Sequence, residues 1–177
     1  NVLLLFDQLF GEGKHTFEQN FHFGEGDVTL GDSTVCWKGQ HACAALQCLG
    51  SDAQLRLHPA SYSREYNTLL EGSTLTVQRR LEYFNWFVTA LHLMPDACSA
   101  PMHAELLPVS KQRAGVTLTD AQAQAVRVTV GEKTCVVLLC YAEVISEVDL
   151  LSAGGYSGYG KVLLFDLAHP QGLCLAW

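Results

Sequence analysis

Basic residues are scarce in this sequence. Lys and Arg together number 11 against 18 Asp and Glu, a net charge of −7 over 177 residues. A surface of that sign has no general affinity for nucleic-acid phosphates or an anionic membrane. A local basic pocket stays open, and Arg79-Arg80 is the one adjacent basic pair. Long apolar runs are missing too. The longest, "VLLLF" at 2–6 and "CVVLLCY" at 135–141, are of strand length. A membrane-spanning helix needs roughly 18–20 residues. Metal-ligand spacings are also absent: there is no C-x-x-C and no H-x-x-x-H. His15 with His22, or His41 with Cys43 and Cys48, come nearest, so neither a metal nor another cofactor is expected. "GGYSGYG" at 154–160 matches neither a P-loop nor a dinucleotide fingerprint, and reads as a loop between strands.

What is present is a folded chain: 49% of the residues are apolar and only 16% charged. The length suits one domain over 1–177, with 95–125 read as a loop or surface insertion because Pro95, Pro101 and Pro108 fall close together. The seven cysteines are an odd number and lie mostly in apolar runs. That is the pattern of buried, reduced thiols, and it points to the cytoplasm or another reducing intracellular compartment. The first residue is Asn1, which suits a processed product or a piece of a longer polypeptide. The sequence sets no oligomeric state.

Strand signals lie at both ends. "VLLLF" opens the chain, "FEQNFHF" at 17–23 alternates large and polar residues, and a short strand follows at 27–30. Near the other end, "AVRVTV" and "TCVVLLCY" flank "GEK" as a hairpin, and "KVLLFDLAH" reads as a buried strand. The middle reads as helical. Alanine and leucine dominate 39–49, Ser61 or Ser63 starts a segment that stops at Gly72, and Leu81, Phe84, Val88 and Leu91 recur at helical steps before Pro95. The predicted class is therefore α+β, with central helices and terminal strands.

A helix starting near Gly39 places Cys36 and Gln40 at its amino end, where the dipole lowers a thiol pKa. Cys36 or Cys43 is then a candidate nucleophile, with His169 as base and Asp166 to orient it. "VCW" before a small-residue helix resembles the nucleophile segment of papain-like and viral cysteine peptidases.

A second resemblance spans more of the chain. "LLLF", "FEQNF", "WKGQHACAALQ", "PASYSREYNTL" and "FNWFVTALHLM" follow the order of segments in the NADAR family, loosely over 2–94. It implies N-glycosidase chemistry on ADP-ribose or a related ribosyl nucleotide. Gln40 and His41 then stand at the catalytic helix start, Asn20 holds ribose hydroxyls, and Phe21 or Trp37 forms an aromatic wall. The family's glutamate is replaced by Gln40, and its lysine falls at Gln47 or Cys48. A glutamine cannot transfer a proton as a carboxylate does, so a nucleotide binder without cleavage is also implied. The expected partner is a nucleotide or a protein substrate. The third reading is a non-catalytic interaction or structural module of a larger protein, using the aromatics of "LEYFNWF" and "GGYSGYG" as its surface.

Overall fold

The computed structural model describes residues 1–50, 52–95, 101–142 and 150–169, together with the backbone of 173–176. Among these residues there is no helix, and every regular element is an antiparallel strand. The protein is all-β, which overturns the α+β expectation. The chain divides into two compact units, Asn1–Ser99 and Ala100–Trp177.

The first unit holds β1 (Val2–Phe23), β2 (Asp27–Leu30), β3 (Thr34–Lys38), β4 (Cys43–Leu49), β5 (Gln54–Tyr62) and β6 (Leu70–Met94). They form one sheet in the order β1-β6-β4-β3-β2, with β5 also paired to β6. Its axis is the long antiparallel pair β1 and β6. Over 73–95 apolar residues recur at three- and four-residue steps, which predicts a helix; the structure has the strand β6 there. In β6 the residues from Asn85 to Ala90 are all buried, and a strand buried on both faces shows no period of two. Its Thr, Val, Tyr, Phe and Trp content suits a pleated strand. The predicted helix at 39–49 is a four-residue hairpin loop, closed by Gly39 N–H donating to the Ala42 carbonyl at 2.9 Å, followed by β4. Alanine favours a helix only weakly, and pairing with β3 and β6 on both sides overrides that preference. The segment from Ser61 to Gly72 completes β5, turns through 63–69 and opens β6.

The register of the two long strands is interrupted at one place. Gly11, Glu12 and Gly13 face a single residue, Tyr83, between the Phe10–Phe84 and Lys14–Glu82 pairs. Such a bulge bends a strand pair. Below the bend β5 pairs with β6, and above it β4 does. Leu75 and Val77 from below then meet Phe87, Val35, Leu46 and Cys48 from above in one buried cluster. Arg79 ties the bend from inside: it is 5% exposed, donates to the Trp86 carbonyl, stacks 4.1 Å from the Trp86 ring and pairs with Asp52 at 2.5 Å.

Tyr83 sits at φ +64° with its ring 65% exposed. A left-handed backbone costs an L-residue about 1–2 kcal/mol, which glycine avoids. Tyr83→Gly is therefore expected to stabilise the fold by about 0.5–1 kcal/mol, read as a higher urea midpoint at unchanged m-value.

The second unit contains β7 (Met102–Leu107), β8 (Ser110–Lys111), β9 (Val116–Thr117), β10 (Ala123–Val130), β11 (Lys133–Cys140), β12 (Leu151–Ala153), β13 (Tyr156–Gly158), β14 (Val162–Asp166) and β15 (Leu173–Ala176). One sheet runs β15-β14-β11-β10-β7 and a smaller one β13-β12-β8-β9. The hairpin expected around "GEK" is β10–β11. Its loop is shorter than expected, because Val130 pairs with Lys133 and leaves only Gly131 and Glu132, with Gly131 at φ +59°. Within the stretch read as a loop or insertion, 102–107 forms β7. Val136, Leu138, Leu163 and Phe165 make the centre of this unit's core. No helix among the described residues is long and apolar enough to cross a membrane.

Candidate functional site

The alternation in "FEQNFHF" decides what β1 presents. Phe17, Phe21 and Phe23 pack against the first unit's core, while Glu18, Asn20 and His22 face out. Residues opposite one another on paired strands share a face. Register therefore builds three outward rows across β1, β6 and β5: Glu18–Gln78–Gln54, Asn20–Thr76–Arg56 and His22–Thr74–His58. Two more rows, Thr16–Arg80 and Lys14–Glu82, continue this face toward the bend.

The middle column is closely tied to its neighbours. Thr74 Oγ1 lies 2.8 Å from His22 Nδ1, Thr76 donates to Asn20 Oδ1 at 2.7 Å, and Gln78 donates to Glu18 Oε1 at 2.8 Å. Thr74 and Thr76 are buried, whereas His22, Asn20, Arg56 and His58 are exposed. The buried threonines thus fix one polar atom of Asn20 and of His22. The Asn20 amide nitrogen and His22 Nε2 are left for solvent or a ligand.

Next to the last row the chain turns through Gly24, and Glu25 N–H donates to the Tyr62 hydroxyl at 3.1 Å. An open depression of about 390 Å³ follows, lined by Glu25, Gly26, Asp27, Lys38, Gly39 and Gln40. The Trp37 ring is wedged between two of these glycines. A Cβ on Gly39 would fall 2.5 Å from its Cη2, and one on Gly26 2.6 Å from its Nε1. Gln40, named from sequence, lines the depression beside Asp27 and Lys38, and Trp37, also named from sequence, packs against its two glycines. His41 is exposed in the same hairpin loop. Phe21 belongs to the core instead of forming a ligand wall.

Cys36 does not stand at a helix start. That residue is exposed on β3 with Thr29 and Ala45 as its cross-strand neighbours, and Cys43 is buried. Among the described residues no helix lies at either one. In the second unit, His169 Nε2 lies 3.5 Å from Asp166 Oδ2, with His169 66% exposed in a turn. That pair, expected from sequence, is made.

Two buried thiols are pushed up in pKa: Cys48 to about 11, by burial against a weaker opposing hydrogen bond from Thr89, and Cys140 also by burial. Burial, with a contribution from the positive amino terminus, lowers that of His92. Iodoacetamide near neutral pH is accordingly expected to modify Cys36 at least about tenfold faster than Cys48, scored by peptide mass mapping. Equal rates would mean that β4 is not packed as described. Among the described residues no group of three or more His, Cys, Asp or Glu is placed to hold a metal ion.

Fold and site together define an all-β protein with a pre-oriented polar sheet face. No family model matches the chain, and no curated protein or solved structure matches it either. Sequence reasoning missed Thr74, Thr76, Arg56 and His58 as members of this face. The available signal was the shared alternation of "FEQNFHF", "STLTVQ" and "QLRLHP", legible only once these three are taken as neighbouring strands.

Proposed function

We propose that the chain is a non-catalytic binding module that recognises an oligosaccharide on the outer face of β1, β6 and β5. One observation carries the reading: Asn20 and His22 are each anchored at one atom by a buried threonine and present their other polar atoms outward. Pre-orienting a side chain removes an ordering cost of about 0.5–1.5 kcal/mol on binding. An array of amide, imidazole and guanidinium groups on an open sheet suits a ligand whose surface is dense in hydroxyls, each able to donate and accept. The depression at the end of the rows presents Asp27, Lys38 and Gln40, with the Trp37 ring packed against its Gly26 and Gly39. The ribosyl-hydrolase and thiol-hydrolase readings both drew on a helix amino end at Gly39, and that segment is a hairpin loop.

The test is a glycan array followed by calorimetry on the best ligand, with ADP-ribose run in parallel. The double variant Asn20→Ala/His22→Ala is expected to weaken oligosaccharide binding about tenfold or more, from two lost hydrogen bonds. Binding of ADP-ribose alone, with no glycan retained, would overturn the proposal in favour of a nucleotide site. Failure of every ligand would overturn it outright.

A further inference from the structure

The bend in β1 and β6 carries a second surface feature, at the far end of the outward rows and beyond the Asn20 and His22 groups that the oligosaccharide reading uses. Phe10 is 70% exposed and Tyr83 65%, although both lie within strands. Phe10 packs against Phe84 with centroids 5.2 Å apart. Beside them a cavity of about 490 Å³ is lined by Lys14, Arg80, Leu81 and Glu82. Lys14 and Glu82 neutralise each other across the strands at 3.3 Å. Arg80 has no ion-pair partner among the described residues, and it is exposed.

Three facts bear on what this surface receives. An unpaired guanidinium on a chain of net charge −7 is a local reversal of sign, and it selects a carboxylate. Exposed aromatic side chains further along the same pair of strands select an apolar side chain, and Tyr, Phe and Arg are the residues that anchor protein contacts. The ladder is broken at Gly11 to Gly13, which share Tyr83 as their one opposite residue, and the Glu12 carbonyl there already lies 2.5 Å from His15 Nε2, so a partner is held by side chains. The strained backbone of Tyr83 fits the same picture, since strain persists where an exposed group has a use.

We infer that the bend is a docking surface for an acidic segment of a partner protein, with a carboxylate on Arg80 and a neighbouring aromatic or aliphatic side chain on Phe10 and Tyr83. The partner is a peptide rather than a glycan because the site joins apolar rings and one cation instead of a polar array. This inference does not rest on the oligosaccharide reading.

A phage-displayed peptide library selected on the full chain tests it. Enriched peptides should carry Asp or Glu within a few residues of an aromatic or large aliphatic side chain. Resynthesised with Asn or Gln in place of the acid, they should bind about tenfold more weakly. Arg80→Glu and Phe10→Ser should each weaken binding by about tenfold or more, while Asn20→Ala/His22→Ala leaves it unchanged. Tyr83→Gly should weaken it while raising the melting temperature, a combination that a merely structural defect cannot produce. Enrichment of basic peptides, equal binding by Arg80→Glu, or no enrichment would overturn the inference. So would sedimentation showing that the wild-type chain self-associates and that Phe10→Ser abolishes this, which would assign the surface to a second copy.

Discussion

Phe165→Ala is expected to cost about 3–5 kcal/mol, the range for truncating a fully buried phenylalanine. Phe165 is 1% exposed on β14 and pairs with Val136 on β11. Its ring meets Tyr156 of the smaller sheet with centroids 5.5 Å apart. It therefore links both sheets of the second unit, and the neighbouring Leu163, Val136 and Leu138 are themselves fully buried. Rigid paired strands on either side limit how far the site can collapse, so most of the cavity persists. Urea unfolding followed by hydrogen exchange should show the loss in β10, β11 and β14. Phe10→Ala is the control: the ring is 70% exposed, and its removal should change stability by no more than about 0.5 kcal/mol. A small effect of Phe165→Ala would contradict the described packing of that unit.

Arg79→Ala should destabilise the first unit by about 2–4 kcal/mol. The guanidinium is buried, but its partner Asp52 is 46% exposed, so the pair falls below the cost of breaking a fully buried one. Three losses add to it. The Trp86 carbonyl loses its donor, the Trp86 ring loses its stacked cation, and the aliphatic stem leaves a gap inside the bend. Arg79→Lys should recover only a minor part, because an ammonium cannot reach the carbonyl and the carboxylate while stacking flat on indole. Asp52→Asn removes one partner at a half-exposed position and should cost about 1 kcal/mol. Equal losses for Asp52→Asn and Arg79→Ala would show that the ion pair, rather than the Trp86 contacts, holds the bend.

The bend also explains why 73–95 misled. A helix and a doubly buried strand both carry apolar residues at three- and four-residue steps, and Leu81, Phe84, Val88 and Leu91 satisfy either. The β-branched and aromatic content of "STLTVQ" and "FNWFVT" was the better guide. At 39–49 the local preference is helical, and no residue in that stretch announces the ladder on each side of it. Site residues fared according to the same rule. Asn20 faces out because β1 alternates, as "FEQNFHF" indicates. The β3–β4 turn brings Gln40 to the depression whose glycines Trp37 packs against. The role expected of Cys36 drew on a helix start at Gly39, and Cys36 lies on β3 instead.

By itself the sequence determined the strands whose alternation or apolar run is complete within a few residues: β1 near Phe17–Phe23, the β10–β11 hairpin, and β14. It also determined the acidic surface and the apolar content from which both cores are built. Tertiary structure alone decided that β4 and β6 are extended, that three distant segments stack Asn20, His22, Arg56 and His58 into rows, and that Tyr83 is turned out at a bend. The reason is that a helix closes its hydrogen bonds within four residues, whereas a strand borrows them from chain that lies far away in sequence.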